Sequence, residues 1–280
     1  VRETSNPVFR SLPKQQGGYA QFGSGVAGAQ QVAYQAEPYT TQYPSQTGVS
    51  RPMTIDDVVT KTGITLGVLS IVAVISYFLV SANLALAMPF TLVGALGGLA
   101  LVLVATFGRK QDNPAIVLSY AALEGLFLGA ISFVLANLVV SGANAGSLIG
   151  QAILGTIGVF FGMLIVYKTG AIRVTPKFTR MLVAGMVGVL VLMLGNFVLS
   201  MFGTHDGGPL RNGGTMAIIF SLVCIALAAF SFLLDFDAAD QMIRAGAPEK
   251  AAWGVALGLT VTLVWLYLEI LRLLSYFQQR

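Results

Sequence analysis

The chain has 280 residues, of which 55% are hydrophobic and only 10% charged, with a formal net charge of +4 and a mean hydropathy of +0.78. Soluble domains carry about 25% charged residues, so a soluble globular protein is excluded and the composition reads as a polytopic all-α membrane protein. The positive balance is scattered through loops with no basic stripe, which excludes a nucleic-acid partner, and a single histidine and a single cysteine exclude a histidine-built metal site and an internal disulfide.

Residues 1–57 are rich in Gln, Gly, Tyr, Ser and Pro and poor in aliphatic residues. That composition predicts a disordered tail. No apolar core comes after a basic start, so the first hydrophobic segment is expected to act as an uncleaved anchor. Thr54 is a fitting N-cap for the entry helix, with Asp56 and Asp57 in its first turn.

Between Lys61 and Arg109 there is no charged residue, a run too long for one span of about 20 residues. Ser81, Asn83 and Pro89 mark its turn and divide it into helices at roughly 62–82 and roughly 87–107. After the polar turn from Arg109 to Pro114, helix three is expected at roughly 114–140 and contains Glu124. Helix four runs to Tyr167, helix five covers roughly 178–202, helix six roughly 215–243 and helix seven roughly 249–277. The fold class expected is a seven-transmembrane-helix bundle over residues 58–280, preceded by the tail.

Lysine and arginine in short loops favour the cytoplasmic side. Arg109 and Lys110, then Lys168, Arg173, Lys177 and Arg180, then Arg244 and Lys250 all fall in even-numbered loops, whereas the 5–6 loop carries only Arg211. The expected orientation has the tail and the even loops in the cytoplasm and the C-terminus outside. Glycines recur four residues apart at Gly94/Gly98, Gly125/Gly129, Gly158/Gly162 and Gly254/Gly258. Small residues so spaced let helix backbones approach closely in lipid, so these pairs are expected to pack within the bundle.

The acids in this apolar setting are the candidate functional groups, because a carboxylate at a helix centre costs at least about 2.5 kcal/mol and usually faces a cavity or a partner. Glu269 lies roughly 20–30 Å along helix seven from the basic side, and Glu124 roughly 15 Å into helix three. Asp235, Asp237 and Asp240 cluster near the end of helix six. Arg272, three residues past Glu269, is a candidate counter-ion, and Arg109 or Arg244 could pair with the acidic cluster. An enzyme is not expected. The lone His205 sits in a loop, no Gly-x-Gly-Asp run marks an intramembrane aspartyl protease, helix seven has no lysine past Lys250 to hold retinal, and no phosphate-binding Gly-rich loop is present.

The segments YAALEGLFLGAIS (120–132), QAILGTIGVFFGMLIVYKTGAIRVT (151–175), LLDFDAADQMI (233–243) and WLYLEILRLL (265–274) resemble the Bax inhibitor family, the superfamily of transmembrane Bax inhibitor motif proteins, and within it the bacterial YccA-like branch. The resemblance spans residues 55–277 and implies seven helices with the last in the middle of the bundle. It implies a pH-sensitive calcium leak across a bacterial inner membrane, gated by one aspartate on helix six and one on helix seven that share a proton. The helix-seven position is Glu269 here, a glutamate for the family aspartate; the helix-six position is best matched by Asp237, with Asp235 and Asp240 as alternatives. The same pair, Asp237 and Glu269, is the candidate cation site, with Ca²⁺ as a permeant ion rather than a resident cofactor. In a straight hairpin the two would stand roughly 15–20 Å apart in height, and Glu124 is an alternative partner by depth. The expected partners are the lipid bilayer, cations or protons, and, on the rival reading of a non-conducting regulator, other membrane proteins such as quality-control proteases.

Overall fold

A computed structural model describes residues 51–139, 145–202 and 208–278. It contains seven long helices: α1 (Ile55–Ala82), α2 (Ala87–Phe107), α3 (Pro114–Phe133), α4 (Ala145–Thr169), α5 (Pro176–Met201), α6 (Thr215–Arg244) and α7 (Ala252–Gln278). All seven are long and apolar enough to cross a membrane, as expected. The helices start and stop where local chemistry requires. Thr54 and Asp57 close a reciprocal capping box on α1. Asn83 ends α1 and its side chain accepts from Ala85 N–H to open the short 3₁₀ turn that leads into α2. Asn113 and Thr175 cap α3 and α5, each with a proline in the first turn, where a missing N–H costs nothing. Beyond Phe133, α3 continues as a π-helical turn over Val134–Val139.

The last helix is the centre. α7 packs against α1, α3, α4 and α6, while α2 lies outside α3 and α5 outside α6. In its most apolar stretch 61% of α7 is buried, against 44% for α3 and α6 and 22% or less for the rest. A helix buried on all sides needs close neighbours, and small residues permit them. A Cβ on Gly125 would stand 2.6 Å from the Leu69 carbonyl oxygen, and one on Gly129 would collide with the Ala73 carbonyl. α3 therefore lies backbone to backbone on α1, and Ser76 ties the two by donating to the Leu126 carbonyl at 2.7 Å. Gly94 meets the α3 backbone in the same way, at the Leu123 carbonyl, whereas Gly98 faces the Glu124 side chain. The expectation for Gly158 and Gly162 is corrected: both face open space, with nothing within 4 Å of an added Cβ, so this pair packs against no described helix of the chain.

The basic end of the bundle carries the start of α1 and the α2–α3, α4–α5 and α6–α7 turns. The tail expected over residues 1–57 lies outside the described residues as far as residue 50. Residues 51–57, placed with it from sequence, belong to the bundle. Met53 N–H donates to the Ala247 carbonyl at 2.8 Å and Glu249 N–H to the Arg51 carbonyl at 2.9 Å, and the Met53 side chain is buried to 2% exposure in the main core. Around this junction Arg51 pairs with Asp57 at 2.6 Å and Lys61 with Glu249 at 3.4 Å.

Candidate functional site

Glu269 is the most deeply buried acid among the described residues, 1% exposed on the inner face of α7. Two arginines hold it. Arg272, one turn further along α7, donates from Nη1 to Oε1 at 3.0 Å. Arg211, from the chain just before α6, donates from Nη2 to Oε1 at 3.0 Å and from Nη1 to Oε2 at 3.3 Å, so its planar fork meets both carboxylate oxygens. Local structure aims Arg211 inward. Gly208 takes φ 79°, in the left-handed region, and the turn closes with Arg211 N–H donating to the Gly208 carbonyl at 3.1 Å. Asn196 of α5 accepts from Leu210 N–H at 2.9 Å and pins the turn to the bundle. The guanidinium then lies over the Phe220 ring, 5.3 Å from its centroid. A charge so placed persists only because it is paired and hydrogen-bonded.

The second acid is Asp235, on α6, nine residues before the basic end of that helix, or about 13 Å. Its carboxylate accepts from the Thr262 hydroxyl of α7 at 2.7 Å. Thr262 is ten residues past the start of α7, about 15 Å, so the two face each other at one depth. Among the described residues no lysine or arginine pairs with Asp235; its cross-helix partner is a neutral hydroxyl.

Seven residues, two helical turns and about 10 Å separate Thr262 from Glu269 on the same side of α7. Leu266 stands between them, fully buried, and packs with Ala228 and Phe232 of α6, also fully buried, in one cluster. A buried apolar layer thus divides Asp235–Thr262 from Arg211–Glu269–Arg272. Packing of this kind leaves little room for water or ions between α6 and α7 at this level.

Glu124 is the third acid. It lies half-buried on α3, ten residues and about 15 Å from the start of that helix. It forms no hydrogen bond or ion pair with the described residues. Its carboxylate lies against Gly98 of α2, where an added Cβ would stand 2.5 Å from Oε2. The absence of a side chain on α2 is what leaves room for the acid there. Glu124 and Asp235 therefore share a depth, measured from the basic end, on different helices.

The structure places the remaining candidates apart from these. Asp237 accepts from Gln241 on its own helix at 2.6 Å, and no contact joins it to Glu269. Asp240 pairs with Arg244 one turn on at 2.8 Å and accepts from the Tyr167 hydroxyl at 3.5 Å. The expected counter-ions Arg272 and Arg244 thus each hold an acid, but Arg244 holds Asp240 alone. Arg109, two residues past the end of α2, has φ 51° and its side chain pairs with no acid among the described residues. Among the described residues no three of His, Cys, Asp and Glu come together in a way that could hold a metal ion, and His205 lies outside them. Cys224 is buried in the α5–α6 packing.

Two members of the site were missed from sequence. Thr262 carries no signal, since hydroxyls are common in spans. Arg211 carried one: it is the basic residue in a loop on the charge-poor side, where the distribution of lysine and arginine otherwise leaves none.

The family model described as Bax inhibitor 1 like matches residues 6–279 of the chain. No curated protein matches it.

Proposed function

The chain belongs to the Bax inhibitor 1 like family and is a multi-pass membrane protein; from that premise we propose that it passes cations, Ca²⁺ foremost, across a bacterial inner membrane in a pH-dependent way, with its basic end in the cytoplasm. The observation that carries this reading is the pair of acids without cationic partners, Glu124 and Asp235, at matching depth inside the spanning region. Lipid excludes such groups unless they face a polar route or a partner. Cations entering from the basic end would pass Asp240 and Asp237 and then reach these two carboxylates, the first without cationic or same-helix partners. The packed layer of Ala228, Phe232 and Leu266 is then the closed barrier, and the Arg211–Glu269–Arg272 cluster is the latch beyond it.

On this reading the proton sets the balance between closed and open arrangements. A change of protonation displaced by one pKa unit biases a two-state equilibrium by about 1.4 kcal/mol, enough to modulate a leak. Glu269 serves by holding the far end of α7 to the α5–α6 connection, and passage requires its release from both arginines.

One observation favours the non-conducting reading, in which the protein regulates other membrane proteins. Both oxygens of Glu269 are held by arginines, and the layer of Ala228, Phe232 and Leu266 next to it is apolar and buried, which suits a rigid scaffold as well as a closed pore. Calcium flux into liposomes containing the purified full chain, from mildly acidic to mildly alkaline pH, decides between them. Flux that changes with pH, and that changes its pH dependence in Asp235→Asn and Glu124→Gln, is expected. No flux at any pH supports the scaffold, and flux that both substitutions leave untouched removes these two acids from the gate.

A further inference from the structure

A chamber of about 520 Å³ lies between α1, α3, α4 and α7, and none of the buried acids lines it. Its size falls within the range of ligand pockets, about 300–1,000 Å³. Leu69 and Leu263 line its deep part. Val74 of α1 and Ile153 of α4 also line it and are exposed at the bundle surface, by 55% and 45%. The chamber is therefore continuous with the apolar face that the bilayer covers.

Its polar groups are few, and those at the shallow end are hydroxyls. Ser132 and Tyr267 face each other at 2.8 Å across α3 and α7. Two hydroxyls so joined use one proton between them, which leaves the other free to donate. Tyr77 accepts from the Asn137 side-chain amide at 3.2 Å, and its own proton is left to donate. No charged residue lines the chamber.

The depth of these groups sets what can bind. Tyr77 is five residues, about 7 Å, from the end of α1, and Tyr267 is eleven residues, about 16 Å, from the end of α7, both measured from the end opposite the basic one. Leu69 and Leu263 lie about 20 Å from that end, near the middle of a hydrocarbon core about 30 Å thick. Donors at the shallow end and hydrocarbon walls at the deep end match the polarity of a lipid, whose ester carbonyls lie above its chain. The donors find acceptors in those carbonyls. A free fatty acid fits poorly, since its carboxylate would be desolvated with no cation to pair with.

We propose that this chamber binds one acyl chain of an ester-linked glycerophospholipid from the leaflet at the end opposite the basic one, with its ester carbonyls accepting from Tyr77 or from the Ser132–Tyr267 pair. The proposal is independent of ion conduction. It is tested with the purified full chain, stripped of lipid in detergent and then given dioleoyl phosphatidylglycerol, its ether-linked analogue, or oleate, with retained molecules counted by native mass spectrometry. One phospholipid per chain is expected to survive where Val74→Trp and Ile153→Trp, which fill the opening, retain none. Val187→Trp, on the exposed face of α5 away from the chamber, is expected to retain it. The ester lipid should be held roughly three- to tenfold more tightly than the ether analogue, the contribution of one or two neutral hydrogen bonds, and Tyr77→Phe with Tyr267→Phe and Ser132→Ala should erase that preference. Equal retention by the filled variants, equal binding of ester and ether lipids, or oleate bound as tightly as the phospholipid overturns the proposal. The tyrosine substitutions keep the test decisive if a tryptophan variant does not fold.

Discussion

Arg211 and Glu269, 58 residues apart, meet through two N–H···O contacts of 3.0 and 3.3 Å, joining the connection before α6 to the buried side of the central helix. This contact ties the two segments together at the end opposite the basic one. It also explains why a glutamate can sit at 1% exposure on α7: each carboxylate oxygen has a guanidinium donor, and Arg272 adds a second to Oε1.

Breaking that cluster from one side strands a buried charge. Glu269→Gln leaves two arginines facing each other and is expected to destabilise the protein by about 3–5 kcal/mol. Arg211→Met should cost more than Arg272→Met, because Arg211 holds both oxygens and Arg272 one. The double variant Arg211→Met/Glu269→Met should lose less than the two single losses added together. Unfolding in a denaturing detergent titration measures each, and an unchanged midpoint for Arg211→Met removes the latch.

The contact between Asp235 and Thr262 depends on a single hydroxyl proton. Thr262→Val keeps the shape and removes the donor, so a loss of about 1.5–3 kcal/mol is expected, the value of a hydrogen bond to a charged group. Thr262→Ser should restore it. If conduction is gated here, Thr262→Val also changes flux in liposomes while Thr262→Ser does not. Equal stability of the two variants is the contrary result.

Glycines that look alike in sequence are expected to respond differently. Gly129→Ala drives a methyl group into the Ala73 carbonyl and the Ser76 side chain on α1, and backbone cannot yield as a side-chain end can. Overpacking of this kind costs about 1–3 kcal/mol. Gly158→Ala meets nothing within 4 Å and should be neutral or slightly stabilising, since alanine is the better helix former by about 1 kcal/mol. Thermal midpoints of the two variants in one detergent compare them directly, and a loss in Gly158→Ala would reveal a partner outside this chain.

At the basic end, Thr54→Ala opens the capping box of α1 and should cost about 0.5–2 kcal/mol. Glu249→Gln loosens the pairs to Arg51 and Lys61, which are partly exposed and worth about 1 kcal/mol or less. Hydrogen exchange at Met53 N–H reads both, because that proton is bonded to the Ala247 carbonyl. Faster exchange in Thr54→Ala than in Glu249→Gln is expected, and the reverse order would make the ion pairs, not the cap, the fastening of this segment to the bundle.

Residue order along the chain alone determined the seven spans, nearly to their ends, since hydrocarbon demands long apolar helices and prolines, asparagines and threonines mark their boundaries through local bonds. It also marked Glu124 and Glu269 as acids out of place, and Asp235, Asp237 and Asp240 only as a cluster near the end of helix six. Which of them meet what was decided by the tertiary structure. Depth counted along straight helices put Asp237 and Glu269 at different heights but could not say which side of α6 faces α7. The rotation of α6 turns Asp235 towards Thr262 and leaves Asp237 with Gln241. Likewise, nothing local separates Gly129 from Gly158; only the approach of α1 does. Arg211 reaches Glu269 because a turn pinned by Asn196 folds inward, a contact between distant segments whose energy exists only once the helices have packed.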